Sequence, residues 1–212
     1  MRLVKAQLQL TDCRTRLPFR FGIHTLTSAP YATLRVEMET ADGRRAAGAA
    51  SDLLVPKWFE KNPDKTPEQD SKALADSAEK TIHLAELLAA ATVFDLWHFL
   101  YEERVASQPK DAADLLVRGF GVALLERAAM DALCRLEKIA FHEALLSNAF
   151  GFNPGQIHSQ LQGWNLSQSL AAQPAHSIYL RHTIGLVDAL TQRKVFETSQ
   201  HVPGPGQFNI PS

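Results

Sequence analysis

Cysteine is scarce in this 212-residue chain, which carries only Cys13 and Cys134. Two thiols so far apart, the second inside a helical pattern, do not form a disulfide framework. Reduced thiols in a cytoplasmic setting are the expectation. Excess charge is also lacking: 22 basic and 23 acidic side chains leave a formal net charge of -1. No field of either sign recruits nucleic acid or an anionic membrane surface. Long apolar runs are missing, and none approaches the roughly 20 residues that span a bilayer. The start, Met1-Arg-Leu-Val-Lys-Ala, has no signal-peptide h-region. The 45 % apolar and 21 % charged content still suffices for a globular core.

Catalytic signatures are equally sparse. There is no G-x-S-x-G elbow, no Walker A loop, no C-x-x-C and no H-E-x-x-H; each would supply a nucleophile, a phosphate cradle or a zinc pair. Gly119-Phe120-Gly121 lies within a helical pattern, and the prolines of Gly204-Pro205-Gly206 delete backbone donors. His142-Glu143 lacks a second histidine one turn on, so zinc has no ligand set.

What is present falls into three zones. In residues 3 to 57, Val4, Ala6, Leu8 and Leu10 alternate with polar residues, as do Ala32, Leu34, Val36 and Met38. Both runs read as half-buried strands. Asp42-Gly43 signals a hairpin turn, and Arg45 to Ala50 return as a small-residue strand. A three-stranded antiparallel meander results, with an apolar face that needs a cover. Residues 66 to 150 provide it. Thr66-Pro67-Glu68-Gln69 combines a cap, a first-turn proline and a capping box. That helix is expected to run to about Ala90, with a second starting at Thr92 and Asp95. A third is expected from about Asp111 to Phe150, along the seam Val122, Leu125, Ala129, Ala132, Leu136 and Ile139. Gly119 and Gly121 within it predict a close backbone contact or a kink. Residues 155 to 176 read as loop, Ser177 to Gly185 as a strand, and the proline- and glycine-interrupted tail from Val202 as neither helix nor strand.

Two segments stand out as candidate sites. One is the loop expected over residues 17 to 29, with Arg20 and His24. The other is Ser51 to Glu60, with Trp58 and Phe59. Loops carry function more often than scaffold does. By default Phe19 and Phe21 pack onto the sheet, and Trp58 and Phe59 are core or interface aromatics.

The order of these pieces resembles a family. A leading strand precedes Arg16-Leu-Pro-Phe-Arg-Phe-Gly22. A strand, the Asp42-Gly43 turn and Gly48-Ala-Ala-Ser51 follow, and the last helix carries Leu125-Glu-Arg-Ala-Ala-Met-Asp-Ala-Leu133. This resembles the N-terminal capping domain of the enolase superfamily, of the mandelate racemase and muconate-lactonizing type. His182 to Leu186 looks like its first barrel strand. The resemblance implies an α+β fold, a meander packed on a helical bundle, followed by a truncated start of a (β/α) barrel. The implied divisions are a capping domain over 1–153, a linker and first barrel strand over 154–190, and an irregular tail over 191–212.

The family's chemistry is proton abstraction next to a carboxylate, with magnesium neutralising the enediolate charge as it develops. That chemistry needs three carboxylate ligands and a Lys or His base. Beyond Glu143 the only acids are Asp188 and Glu197, and beyond Lys138 the only lysine is Lys194. The resemblance therefore implies magnesium and a small carboxylate substrate for a full-length parent, but no catalytic or metal-binding residue in this chain. Arg20, His24 and Trp58 become substrate-facing candidates in the two segments that close over the family's barrel mouth. A homo-oligomer or a separate barrel polypeptide would be its partner. The alternative is a standalone α+β module that binds a partner through the capping surface.

Overall fold

The computed structural model describes residues 1–21, 24–109 and 114–181. Three strands, β1 (Arg2–Phe21), β2 (His24–Glu39) and β3 (Arg45–Leu53), form an antiparallel sheet in the order β1-β2-β3. The expected meander is present. Ala32, Leu34, Val36 and Met38 of β2 are all buried on one face. The opposite face is polar, with Arg35 donating to Gln9 and Ser51 to Thr33. At the β2–β3 turn, Gly43 takes a φ of +81°, a conformation that costs a residue without Cβ nothing.

The alternation read for β1 is out of phase at its start. Leu3 is buried and Val4 is exposed. The pairing passes from Leu3↔Met38 to Lys5↔Glu37, leaving Val4 in a bulge. One extra residue turns every side chain before it to the other face.

Helix α1 (Pro67–Ala85) starts as expected, with Thr66 and Gln69 in a reciprocal capping box. It stops short of Ala90 because the chain is diverted into sheet pairing: Arg2 bridges Ala89, and Ala90 N–H donates to Met1 O at 2.9 Å. Helix α2 (Val93–Tyr101) opens on a second capping box, Thr92 with Asp95, and leads into a π-helical turn, Glu102–Ala106.

The single helix expected from Asp111 to Phe150 is two. Helix α3 (Leu115–Glu137) ends where Lys138 adopts the left-handed conformation, φ +56°, and α4 (Phe141–Leu146) restarts beyond Ala140. The periodic seam crosses this break because Leu136 and Ile139 still pack on the core. Of the two glycines, Gly121 makes the close contact: a Cβ there would fall on the Ser77 carbonyl, 2.6 Å from Thr81 Oγ1. At Gly119 a Cβ would meet only Val105 Cγ2, at an ordinary contact distance of 3.8 Å.

Helix α3 is the organiser. Gly48 of β3 lies directly beneath Ala128 and Ala132, where any Cβ would meet the helix backbone. Asp131 accepts the Ala49 N–H at 2.9 Å, and Arg127 pairs with Asp52 at 2.9 Å. These contacts cover the outer strand, which would otherwise present an open edge. The helical stretch that carries the family resemblance is thus the stretch that docks α3 on the sheet.

Residues 154 to 168 form three short 3-10 turns. The expected strand over 177 to 185 is not seen in its described part: residues 177 to 181 have no regular structure. Residues 182 to 190 and the tail 191 to 212 lie outside the described residues. Among the described residues no helix is long and apolar enough to cross a membrane.

Candidate functional site

The segment expected as a loop over 17 to 29 is mostly ribbon. Strands β1 and β2 continue to Phe21 and from His24, with Phe19↔Leu26, Arg20↔Thr25 and Phe21↔His24 paired. The sequence there is rich in Thr, Phe and Leu, which favour extended backbone, and its pairing satisfies groups a loop would leave to solvent. An irregularity between Arg14 and Phe19 separates this tip from the body of the sheet. Thr15 bridges it, donating to Leu26 O and Thr27 O.

Side chains alternate across the ribbon. Phe19 and Phe21 share a face, their rings 6.0 Å apart, and His24 lies opposite Phe21 on that face at 6.1 Å. Arg20 belongs to the other face with Thr25. The ribbon therefore brings His24 to the aromatic cluster and leaves Arg20 outside it. The two phenylalanines do not pack into the sheet core: Phe19 is exposed, and Phe21 meets Trp58 edge-on at 5.5 Å.

Trp58 reaches Phe21 because its own segment is pinned beneath it. Leu54 is fully buried and its N–H donates to Pro30 O, while Ser71 Oγ donates to Leu54 O. Lys57 then turns left-handed, φ +61°. Its ammonium lies 3.0 Å from Asp70 and donates to the carbonyls of Asn62 and Lys65 at 2.7 and 2.6 Å. Its N–H also donates to Asp70. This buried staple folds residues 54 to 66 into a fixed turn. It sends Phe59 inward onto Phe120, 5.4 Å away, and Trp58 outward, where 59 % of it is exposed. Sequence reasoning missed the staple. Its only signal is a lysine set among Leu53, Leu54, Val55 and Trp58.

The result is an exposed aromatic surface with one imidazole, built jointly by the two segments that hold His24 and Trp58. It can pack against a flat or apolar group and offer a hydrogen bond through His24. Beside it, a groove of about 580 Å³ runs between the hairpin and α1, walled by Leu10, Pro30 and Pro56 and rimmed by Glu68 and Lys72. Among the described residues, no three His, Cys, Asp or Glu side chains are grouped to hold a metal ion.

No family model matches the chain, and no curated protein matches it. Among solved structures it is similar to an enolase from alpha proteobacterium bal199, crystallised with bound magnesium, at 13 % identity and a TM-score of 0.49. The match covers 68 % of this chain and 34 % of that one. The chain thus spans about a third of that enolase's length, and a likeness of this degree carries no argument about activity.

Elsewhere, burial pushes the Glu126 carboxyl of α3 up to about 7, against the opposing pull of Arg127. A shallow groove of about 650 Å³ crosses the end of α3, where Met130, Cys134, Ile139 and the exposed Phe141 form the floor. Burial and the neighbouring Asp131 raise the Cys134 thiol above its ordinary value, which leaves it a poor nucleophile.

Proposed function

We propose that this chain is the capping part, residues 1–153, of an enolase-superfamily protein, and that the His24–Phe21–Trp58 cluster forms the wall of a substrate site completed by a barrel. The parent reaction is metal-assisted abstraction of a proton next to a carboxylate, as in racemases, epimerases, cycloisomerases and dehydratases. The observation that carries this reading is the Phe21–Trp58 contact. It joins the two segments that, by the resemblance, close over a barrel mouth. The described residues do not fit a magnesium site, so in this reading magnesium and the catalytic base belong to the barrel. This chain supplies shape and aromatic surface, and its separated thiols suit a cytoplasmic setting.

The test is a chimaera in which residues 1–153 replace the cap of a magnesium-dependent racemase of this superfamily. Exchange of the substrate's α-proton with deuterium from D2O is followed by NMR. The chain alone with magnesium should exchange nothing and the chimaera should exchange. Trp58→Ala in the chimaera should raise KM several-fold with a smaller change in kcat. Exchange by the chain alone, or a folded, magnesium-binding chimaera without exchange, contradicts the proposal.

A second reading, a standalone binding module, draws on the apolar groove at Met130, Cys134 and Phe141. Under it Phe141→Ser would abolish partner binding and leave the chimaera's exchange unchanged.

A further inference from the structure

A polar cavity lies between α1, the π-helical turn and α3. Its volume is about 190 Å³, and Lys65, Lys80, Arg104 and Arg118 contribute four cations to its lining. The three carboxylates in the same lining are engaged. Glu60 pairs with Lys65 at 2.5 Å, Asp114 with Arg118 at 2.9 Å, and Asp76 with Lys72 at 2.7 Å. Among the described residues, Lys80 and Arg104 are the lining cations left without a hydrogen-bonded or ion-paired acceptor. Arg104 Nε is buried and has no hydrogen-bond partner among the described residues. Burial and the like charge of Arg118 both disfavour the charged guanidinium, and Asp114 offsets them only in part.

A buried donor left without an acceptor costs the desolvation of that group. Here the π-helical turn imposes that cost by placing Arg104 between α1 and α3. Single π-helical turns are frequent at functional sites. We infer that this cavity binds a small divalent oxyanion of the phosphate class, with Arg104 Nε donating to one oxygen and Lys80 closing over it from α1. Planar guanidinium donors and a mobile ammonium are the usual complement to such a group. Inorganic phosphate and the end of a phosphomonoester share this chemistry.

The inference stands independently of the capping proposal and is tested on the full chain by ³¹P NMR titration. Inorganic phosphate and methyl phosphate are the probes, in buffered chloride. Saturable binding of either is expected, and their relative affinity tells a free anion from a monoester end. Arg104→Gln should weaken binding about tenfold or more. Lys80→Ala, an exposed change that leaves the fold intact, should weaken it about threefold. No saturable binding of either probe, or affinity unchanged in both variants, overturns the inference.

Discussion

At the scale of single residues, the glycines of α3 show how neighbouring positions with the same sequence signal diverge. Gly121 is packed against the Ser77 carbonyl and Thr81, whereas a Cβ at Gly119 would make only an ordinary contact with Val105. Gly121→Ala should destabilise the protein by about 2–4 kcal/mol, because the backbone of α1 must move. Gly119→Ala should stabilise it by up to about 1 kcal/mol through helix propensity alone. Urea denaturation of the two variants checks both signs. Glu126 gives a pH prediction. Its carboxyl titrates near 7 in the fold and near 4.3 in an unfolded chain. The folded state therefore favours the protonated form, and the stability it provides is lost as pH rises through about 7. Glu126→Gln should flatten that decline and gain on the order of 1–3 kcal/mol at pH 8 relative to the parent chain. Thermal unfolding between pH 5 and pH 8 measures it.

At the scale of elements, the turn over residues 54 to 66 rests on one buried ion pair. Lys57→Met removes the charge facing Asp70 and two of the hydrogen bonds that hold the turn. A loss of about 3–5 kcal/mol is expected, since breaking a buried pair leaves an uncompensated carboxylate. Equilibrium unfolding of this variant, with the double variant Lys57→Met/Asp70→Leu recovering much of the loss, tests whether the pair or the turn is at issue. The elements were legible in the sequence where local chemistry decides them. The alternation of β2, the Asp42-Gly43 turn and the Thr66 cap all carry their cause within a few residues. Legibility failed where distant backbone decides. The end of α1 depends on pairing with Met1 and Arg2, the break after Glu137 on a left-handed lysine, and the phase of β1 on a bulge at Val4. The ribbon tip was expected as a loop, and cross-strand pairing of Phe19, Arg20 and Phe21 with Leu26, Thr25 and His24 makes it strand instead. Of the candidate site, the two segments were legible and their meeting was not. That contact depends on the Lys57 staple, which brings together residues more than ten positions apart.

At the scale of the whole molecule, the fold is an antiparallel sheet with one face covered by α1 and α3. From it one long ribbon projects, and its tip meets an outward-turned tryptophan. The docking of α3 on β3 through Gly48, Ala128 and Asp131 fixes the sheet. The Lys57 turn fixes Trp58 beside the ribbon. Rigid elements thus position an exposed aromatic surface, as the proposed wall requires.

The central claim is that this wall touches substrate. It is tested most directly by ¹⁹F NMR of the barrel chimaera labelled with 5-fluorotryptophan, with the Trp58 resonance assigned through Trp58→Phe. Saturation with the substrate carboxylate should shift the Trp58 resonance and leave that of Trp97, half-buried against Phe94 and Tyr101, in place. An unshifted Trp58 resonance in a chimaera that turns over its substrate would contradict the account.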